Sequence, residues 1–422
     1  MERIVIQGGR GLRGTVFVSG AKNAVLKLLV SALMTEELCT FRNVPRLADV
    51  TNMMHVLRGL GAQIEMTADR TVQVQARTLG YVAPEAAVRR MRASIQIMGP
   101  LLARLGRVRV ALPGGCDLGA RPIDLHLKGL TALGATFVES HGYIEGRCRR
   151  LRGAEIHLDL PSVGATENIM MAAVLAEGTS VIQNAAREPE IADVAAALNA
   201  MGARIRGAGT GEIVIEGVTS LRGCDHTVVP DRIEAGTYLV AGAMAGEDVV
   251  VRAVVPQHLD AVIAKLREAG AHIQTGPDWI RVRRGSLRPI QLRTQPYPGF
   301  PTDMQPQFVS FLTHAHGTSM VTETVYTSRY KYVDELRRMG ADLVVEGNVC
   351  IVRGPKRLSG THVSAPDLRA GAALVMAGLV ASGTTVVDGV EHIDRGYDGL
   401  EEKLAGLGAS IRRFGQGQQR TG

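Results

Sequence analysis

Aromatic side chains are scarce in this chain of 422 residues: one Trp, eight Tyr and seven Phe, 4% of the whole. So few rings leave little for bases to stack on, and the basic residues are scattered rather than gathered, so nucleic acid is not an expected partner. Cysteine is rare and odd in number. Cys39, Cys116, Cys148, Cys224 and Cys350 lie far apart with no CxxC pair, which argues against a disulfide framework or a structural zinc site and points to a reducing compartment. The four other than Cys116 fall in strand-like segments and read as inert core thiols. Long apolar runs are missing as well. A stretch such as 370–381 falls short of the roughly 20 residues that cross a bilayer, and Met1-Glu-Arg-Ile-Val-Ile lacks a signal-peptide layout. The expectation is a cytoplasmic protein with no membrane partner and no resident metal or cofactor. Lysine supplies only seven of the 48 basic residues, the other 41 being arginine.

What is present is a globular mixture, 45% hydrophobic and 21% charged, with a net charge of +7. The length implies two or more domains. Arginine makes planar, bidentate contacts to phosphate and carboxylate, so a small anionic ligand fits the composition. One stretch gathers reactive groups densely: Leu112-Pro-Gly-Gly-Cys-Asp-Leu-Gly-Ala-Arg-Pro-Ile-Asp-Leu-His126. Three glycines and two prolines make it a loop, between a β-branched run at 108–110 and a helix expected over 125–133. It carries Cys116, Asp117, Arg121, Asp124 and His126.

A phrase recurs six times. Leu57-Arg-Gly-Leu-Gly-Ala-Gln-Ile returns in variants around Gly134, Gly202, Gly270, Gly340 and Gly408, at intervals of 68 to 73 residues. Apolar residues at i and i+3, then Gly-Ala, then alternation read as an amphipathic helix closed by a left-handed glycine and followed by a strand. A second phrase interleaves, a small-residue helix and a β-branched strand, as in 169–182 and 372–387. Units of about 70 residues exceed ordinary solenoid repeats and read as small α/β modules closing around buried helices. Six modules divide into two domains of three, with the crossover near Val228-Val-Pro-Asp-Arg232. The tail from 416 to 422 reads as disordered.

Ser19-Gly20-Ala21-Lys22-Asn23 stands between a strand and an apolar helix, where a lysine and the helix dipole suit an anion; taken alone, Lys22 is an ordinary surface residue. Together with Pro113-Gly-Gly-Cys116, Gly119-Ala-Arg-Pro-Ile-Asp-Leu-His126, Pro161-Ser-Val-Gly-Ala-Thr166, Asn184-Ala-Ala-Arg-Glu-Pro-Glu190, Gly299-Phe-Pro-Thr-Asp-Met-Gln305, Asp367-Leu-Arg-Ala-Gly-Ala372 and Asp394-Arg-Gly-Tyr397, it makes a set. In order and spacing this set resembles the UDP-N-acetylglucosamine enolpyruvyl transferases of the EPSP synthase superfamily, over nearly the whole chain. The resemblance implies a two-domain inside-out α/β barrel of six βαβαββ repeats, three per domain. The first strand (1–20) would join 231–415 on the phosphoenolpyruvate side, and 21–230 would carry the cysteine loop. It implies transfer of the enolpyruvyl group of phosphoenolpyruvate to the 3′-hydroxyl of UDP-N-acetylglucosamine, with release of phosphate, in a protein expected to be monomeric.

The implied roles follow motif by motif. Lys22, Arg121 and Arg395 fall on the phosphate with Asn23 beside them, and Arg329 and Arg369 on the carboxylate of phosphoenolpyruvate. Cys116 would be the acid, able to form a thioether adduct, and Asp303 the base. The nucleotide sugar would meet Arg92, Arg121, Pro122, Ile123, Asp124, Leu125, Leu160, Pro161, Ser162, Val163, Asp303 and Val325. Simpler readings stand beside these. Asp303 and Asp367 each precede a helical run and could be N-caps; catalysis is favoured for Asp303 and left level with capping for Asp367. His126 reads as a supporting polar residue, and Glu188 and Glu190 as structural or catalytic. Lys27 replaces a proline common in the family, which is expected to alter only local helix geometry. Asp117 beside Cys116 should raise its thiol pKa. The alternatives are enolpyruvyl transfer to shikimate 3-phosphate, a non-catalytic paralogue that senses UDP-N-acetylglucosamine, or an RNA-end-processing protein.

Overall fold

The six glycines of the repeated phrase share one conformation. In the computed structural model, which describes residues 2–112 and 123–415, Gly61, Gly134, Gly202, Gly270, Gly340 and Gly408 have φ between 94° and 104°. In every case the following alanine donates its N–H to the leucine five residues before it, Ala62 to Leu57 through Ala409 to Leu404, at 2.9–3.1 Å. This is a Schellman closure, which satisfies an end carbonyl of the helix and requires the left-handed region that glycine enters without strain. A short strand leaves each closure, such as Gln63–Met66 after the helix Ala48–Gly59.

Each phrase belongs to one small sheet, and there are six sheets among the described residues. The module centred on Gly340 shows the plan. Strand Gln291–Arg293 leads to helix Gln305–Leu312 and strand Gly317–Thr322, and helix Val333–Arg338 then leads to the hairpin Asp342–Glu346 and Val349–Gly354. The first two strands pair in parallel and the rest antiparallel. The chain divides into two compact units, Met1–Ser19 with Pro230–Gly422, and Gly20–Val229. In the first unit the N-terminal segment supplies two strands rather than one. Arg3–Gln7 lies antiparallel between Thr384–Asp388 and Ser410–Phe414, and Leu12–Phe17 runs parallel to Gly246–Arg252. In the second unit Asp225–Thr227, near its end, pairs in parallel with Cys39–Arg42, near its start.

One module departs from the βαβαββ plan. Its sheet has three strands, Arg107–Ala111, Tyr143–Arg147 and Thr136–Ser140, and the fourth shrinks to a single parallel bridge between Val82 and Arg109. Pro84 follows two residues later, lacks an N–H for the ladder and turns the chain into the helix Glu85–Arg90. Each unit has its own core. Its central helices are buried on every side and mostly apolar: in Arg232–Ala245 every residue from Ile233 to Met244 is buried, Glu234 and Thr237 among them, and in Val163–Val174 every residue from Ala165 onward, Glu167 and Asn168 among them. Among the described residues no helix is long and apolar enough to cross a membrane.

Candidate functional site

In the unit Gly20–Val229 the expected residues sit where elements begin. Lys22 opens the helix Lys22–Ser31. Gly20 has to be glycine, because a Cβ there would lie 2.0 Å from the Asn43 carbonyl oxygen. Asp124 opens Asp124–Ala132, with Ile123 at its N-cap position, one residue earlier than the sequence suggests; Arg92 begins the 3₁₀ turn Arg92–Ile97. Ser162 caps Val163–Val174 by accepting the Ala165 N–H at 3.3 Å, and Leu160 before it is exposed. Cys116, Arg121, Pro122 and Asp117 lie outside the described residues, as does the tail from 416.

These starting points are joined from beneath by a buried polar layer. Gln96 donates to the Gly164 carbonyl at 3.0 Å, and Asn168 accepts from Gly99 N–H at 2.7 Å and donates to the Ile95 carbonyl. Asn168 Nδ2 also donates to His126 Nδ1 at 3.0 Å. Burial lowers His126 to about 4, helped by the charges of Lys27 and Arg92, so its imidazole is neutral at pH 7 and able to accept that bond. Lys22 Nζ lies 3.0 Å from Asp49, in the first turn of the helix Ala48–Gly59.

Lys27 needs a correction. It does more than reshape its helix: its ammonium is buried, 3.1 Å from the fully buried Glu167, and donates to the Asn23 carbonyl at 2.7 Å. The buried charge persists because the Glu167 carboxylate on the helix Val163–Val174 meets it. Burial nevertheless raises Glu167 to about 7; Lys27 opposes that rise and the charges of Glu190 and Glu188 add to it. The cysteine reading also changes. Cys39 and Cys350 are buried strand residues, but Cys148 and Cys224 are only half-buried and flank strands, and Cys39 and Cys224 are neighbours.

In the other unit, Asp303, Arg329 and Arg369 form a clamp. Asp303 lies in the 3₁₀ turn Thr302–Met304, so it does not cap the helix that follows. Its two oxygens accept from Arg329 Nη2 at 2.6 Å and from Arg369 Nη2 at 2.9 Å. Both guanidiniums are almost wholly buried, while 29% of the Asp303 side chain stays exposed. Burial would raise this carboxyl, but the charges of Arg369 and Arg329 overcome it and hold the group far below the ordinary range. Arg369 retains two buried donors, Nε and Nη1, with no acceptor among the described residues. Asp367 is a cap: one oxygen accepts from Arg369 N–H at 2.8 Å and Ala370 N–H at 3.0 Å at the start of Leu368–Val380.

Around the clamp, two residues absent from the sequence reading fix the geometry. Glu323 is fully buried; it accepts from Thr294 at 2.7 Å and Thr302 at 2.9 Å, and from the backbone N–H groups of Val325 and Tyr326. It therefore ties Val325, which is exposed, to the turn that carries Asp303. Arg413 does the same for the segment of Arg395, holding Asp394 at 2.6 and 3.0 Å, while Tyr397 shares a hydrogen bond with Thr237 at 2.9 Å beside Arg369. The structure thus brings Asp303, Arg329 and Arg369 into contact and places Val325 and Arg395 on segments anchored near them. Asp49, Glu323 and Arg413 left no motif to find, since each acts on a partner chosen by folding.

The fold of small βαβαββ modules with a cationic clamp defines a carboxyvinyl-transferase architecture, and the chain belongs to the EPSP synthase (3-phosphoshikimate 1-carboxyvinyltransferase) family, whose sequence model matches residues 6–404. Among its relatives, UDP-N-acetylglucosamine 1-carboxyvinyltransferase 1 of Carboxydothermus hydrogenoformans is 51% identical over 414 residues, 98% of each chain. UDP-N-acetylglucosamine 1-carboxyvinyltransferase 2 of Bacillus subtilis is 49% identical over 98% of this chain and 97% of its own. Among solved structures, the enolpyruvyl transferase NikO from Streptomyces tendae matches with a TM-score of 0.90 at 26% identity over 98% of both chains. EPSP synthase from Acinetobacter baumannii shares the fold, with a TM-score of 0.77 at 19% identity over 98% of this chain and all of its own.

Proposed function

We propose that this protein transfers the enolpyruvyl group of phosphoenolpyruvate to the 3′-hydroxyl of UDP-N-acetylglucosamine, releasing phosphate and committing material to peptidoglycan, as a cytoplasmic monomer without a cofactor. The observation that carries the reading is the clamp: two buried guanidiniums converge on one carboxylate, and two further Arg369 donors are unspent. Such an arrangement suits a small ligand with a carboxylate of its own. The acceptor is taken from the relatives at 49–51% identity, whose names specify UDP-N-acetylglucosamine.

In this reading the sugar oxygen adds to C2 of phosphoenolpyruvate while C3 takes a proton, and the adduct then loses phosphate as C3 gives a proton back. Cys116 supplies the acid and Asp303 the base, with Lys22, Asn23, Arg121 and Arg395 on the phosphate. Asp303 flanked by two guanidiniums is a weak base. When the substrate's carboxylate draws Arg329 and Arg369 onto itself, Asp303 loses its neutralising partners and its pKa rises toward that of a working base. The nucleotide sugar is held by Arg92, Arg121 to Leu125, Leu160 to Val163, and Val325. The test is phosphate release from phosphoenolpyruvate with UDP-N-acetylglucosamine or with shikimate 3-phosphate. Release with the first acceptor alone is expected; release with the second alone, or with neither, overturns the assignment.

A further inference from the structure

Cys39 and Cys224 are 185 residues apart in sequence, yet the fold sets them side by side. Cys39 begins the strand Cys39–Arg42, and Cys224 immediately precedes the strand Asp225–Thr227. These strands are parallel and in register, with Thr40 opposite Asp225, Phe41 opposite His226 and Arg42 opposite Thr227. One step back, Cys39 faces Cys224, and the Thr40 N–H donates to the Cys224 carbonyl at 2.7 Å. The approach is close here: a Cβ on Gly223 would lie 2.2 Å from the Leu38 carbonyl oxygen, and the Gly223 N–H donates to Glu37 at 2.8 Å. Neighbouring strands stand about 4.8 Å apart, within the Cα separation of about 4.4–6.8 Å that a disulfide bridges.

We propose that Cys39 and Cys224 are a redox couple, a dithiol in the reduced protein that becomes an intrachain disulfide on exposure to a low-molecular-weight disulfide such as oxidised glutathione. Cys39 is fully buried and Cys224 half-buried, so Cys224 meets the oxidant. The two thiols titrate as a coupled pair: the thiolate forms first at Cys39, takes the Cys224 proton, and leaves the Cys224 sulfur to attack one sulfur of the oxidant and release one thiol. Cys39 then loses its proton, attacks the Cys224 sulfur and expels the second thiol. One S–S bond forms, two S–H bonds are lost, and the oxidant takes up both electrons to become two thiols. Beside Cys224, Cys39 lies below its ordinary value against the effect of burial, while Cys224 is pushed up by its neighbour and by burial. The bond would join the strand near the start of the unit Gly20–Val229 to the strand near its end.

The test incubates the native full-length chain with oxidised glutathione, alkylates remaining thiols and digests without reduction. The expected result is a peptide pair linked through Cys39 and Cys224, absent after reduction and absent in Cys224→Ser and Cys39→Ser, with Cys148 and Cys350 recovered as alkylated thiols. Two results overturn the proposal: Cys39 and Cys224 both recovered as free thiols under conditions in which Cys116 is glutathionylated, or Cys224 recovered only as its glutathione adduct.

Discussion

Asp303 occupies the two guanidiniums assigned to the substrate, so at the scale of single residues the site competes with itself. Removing the charge should separate binding from turnover. Asp303→Asn should bind phosphoenolpyruvate more tightly than wild type, because Arg329 and Arg369 no longer pay attention to an internal carboxylate, and should lose at least about 10²-fold in kcat, the lower range for a general base. Isothermal titration with phosphoenolpyruvate and steady-state kinetics read the two effects; weaker binding in the variant would count against the swap. Lys22, Asp303, Arg369 and Arg395 were nameable from local motifs, because each motif is contiguous, whereas Arg329 lies in none of those motifs and was named from the family resemblance. Asp49, Glu323 and Arg413 were not, since their partners Lys22, Thr302 and Asp394 come close only through the fold.

Between elements, Lys27 of the helix Lys22–Ser31 reaches Glu167 of Val163–Val174 at 3.1 Å. Glu167 titrates near 7 when folded, above an ordinary glutamate at 4.5, so the folded state holds the proton more tightly. Its contribution is full below about 4.5 and is lost as pH rises through 7, a change on the order of 3 kcal/mol across the window. His126 runs the other way. Its folded value of about 4 lies below the ordinary 6.5, so its contribution is present above 6.5 and lost as pH falls toward 4. The two slopes oppose each other in the wild type. Glu167→Gln should leave the His126 slope uncovered, and urea midpoints at pH 5 and 7.5 should rise with pH more steeply than those of the wild type. Parallel dependence in the two proteins would exclude this account of Glu167.

Helix closures were legible because a Leu-x-x-x-Gly-Ala phrase demands one backbone geometry wherever it occurs. The three-stranded sheet was less legible. Pro84 was visible, but only the placement of Val82 against Arg109 shows which ladder it cuts short. Lys27 was misjudged for a similar reason: a lysine in a helix reads as local until the element opposite it is known.

At the scale of the whole molecule, the six sheets among the described residues follow one plan and fall into two units with separate cores. The repeats, the family and the mixed α/β fold were open to a reader of the chain because the repeat period survives in the glycines. That the first 17 residues supply two strands to the C-terminal unit was harder to see, because pairing with Gly246–Arg252, Thr384–Asp388 and Ser410–Phe414, hundreds of residues away, leaves no local trace.

Addition and elimination at phosphoenolpyruvate is the centre of the account, and the most direct measurement is turnover in deuterium oxide with UDP-N-acetylglucosamine as acceptor. Protonation of C3 makes a methyl group, and later loss of one of its three hydrons leaves solvent deuterium behind. Mass spectrometry of the product should find deuterium in the enolpyruvyl methylene group. A product formed at full rate with that methylene carrying only hydrogen from the original phosphoenolpyruvate would contradict the account.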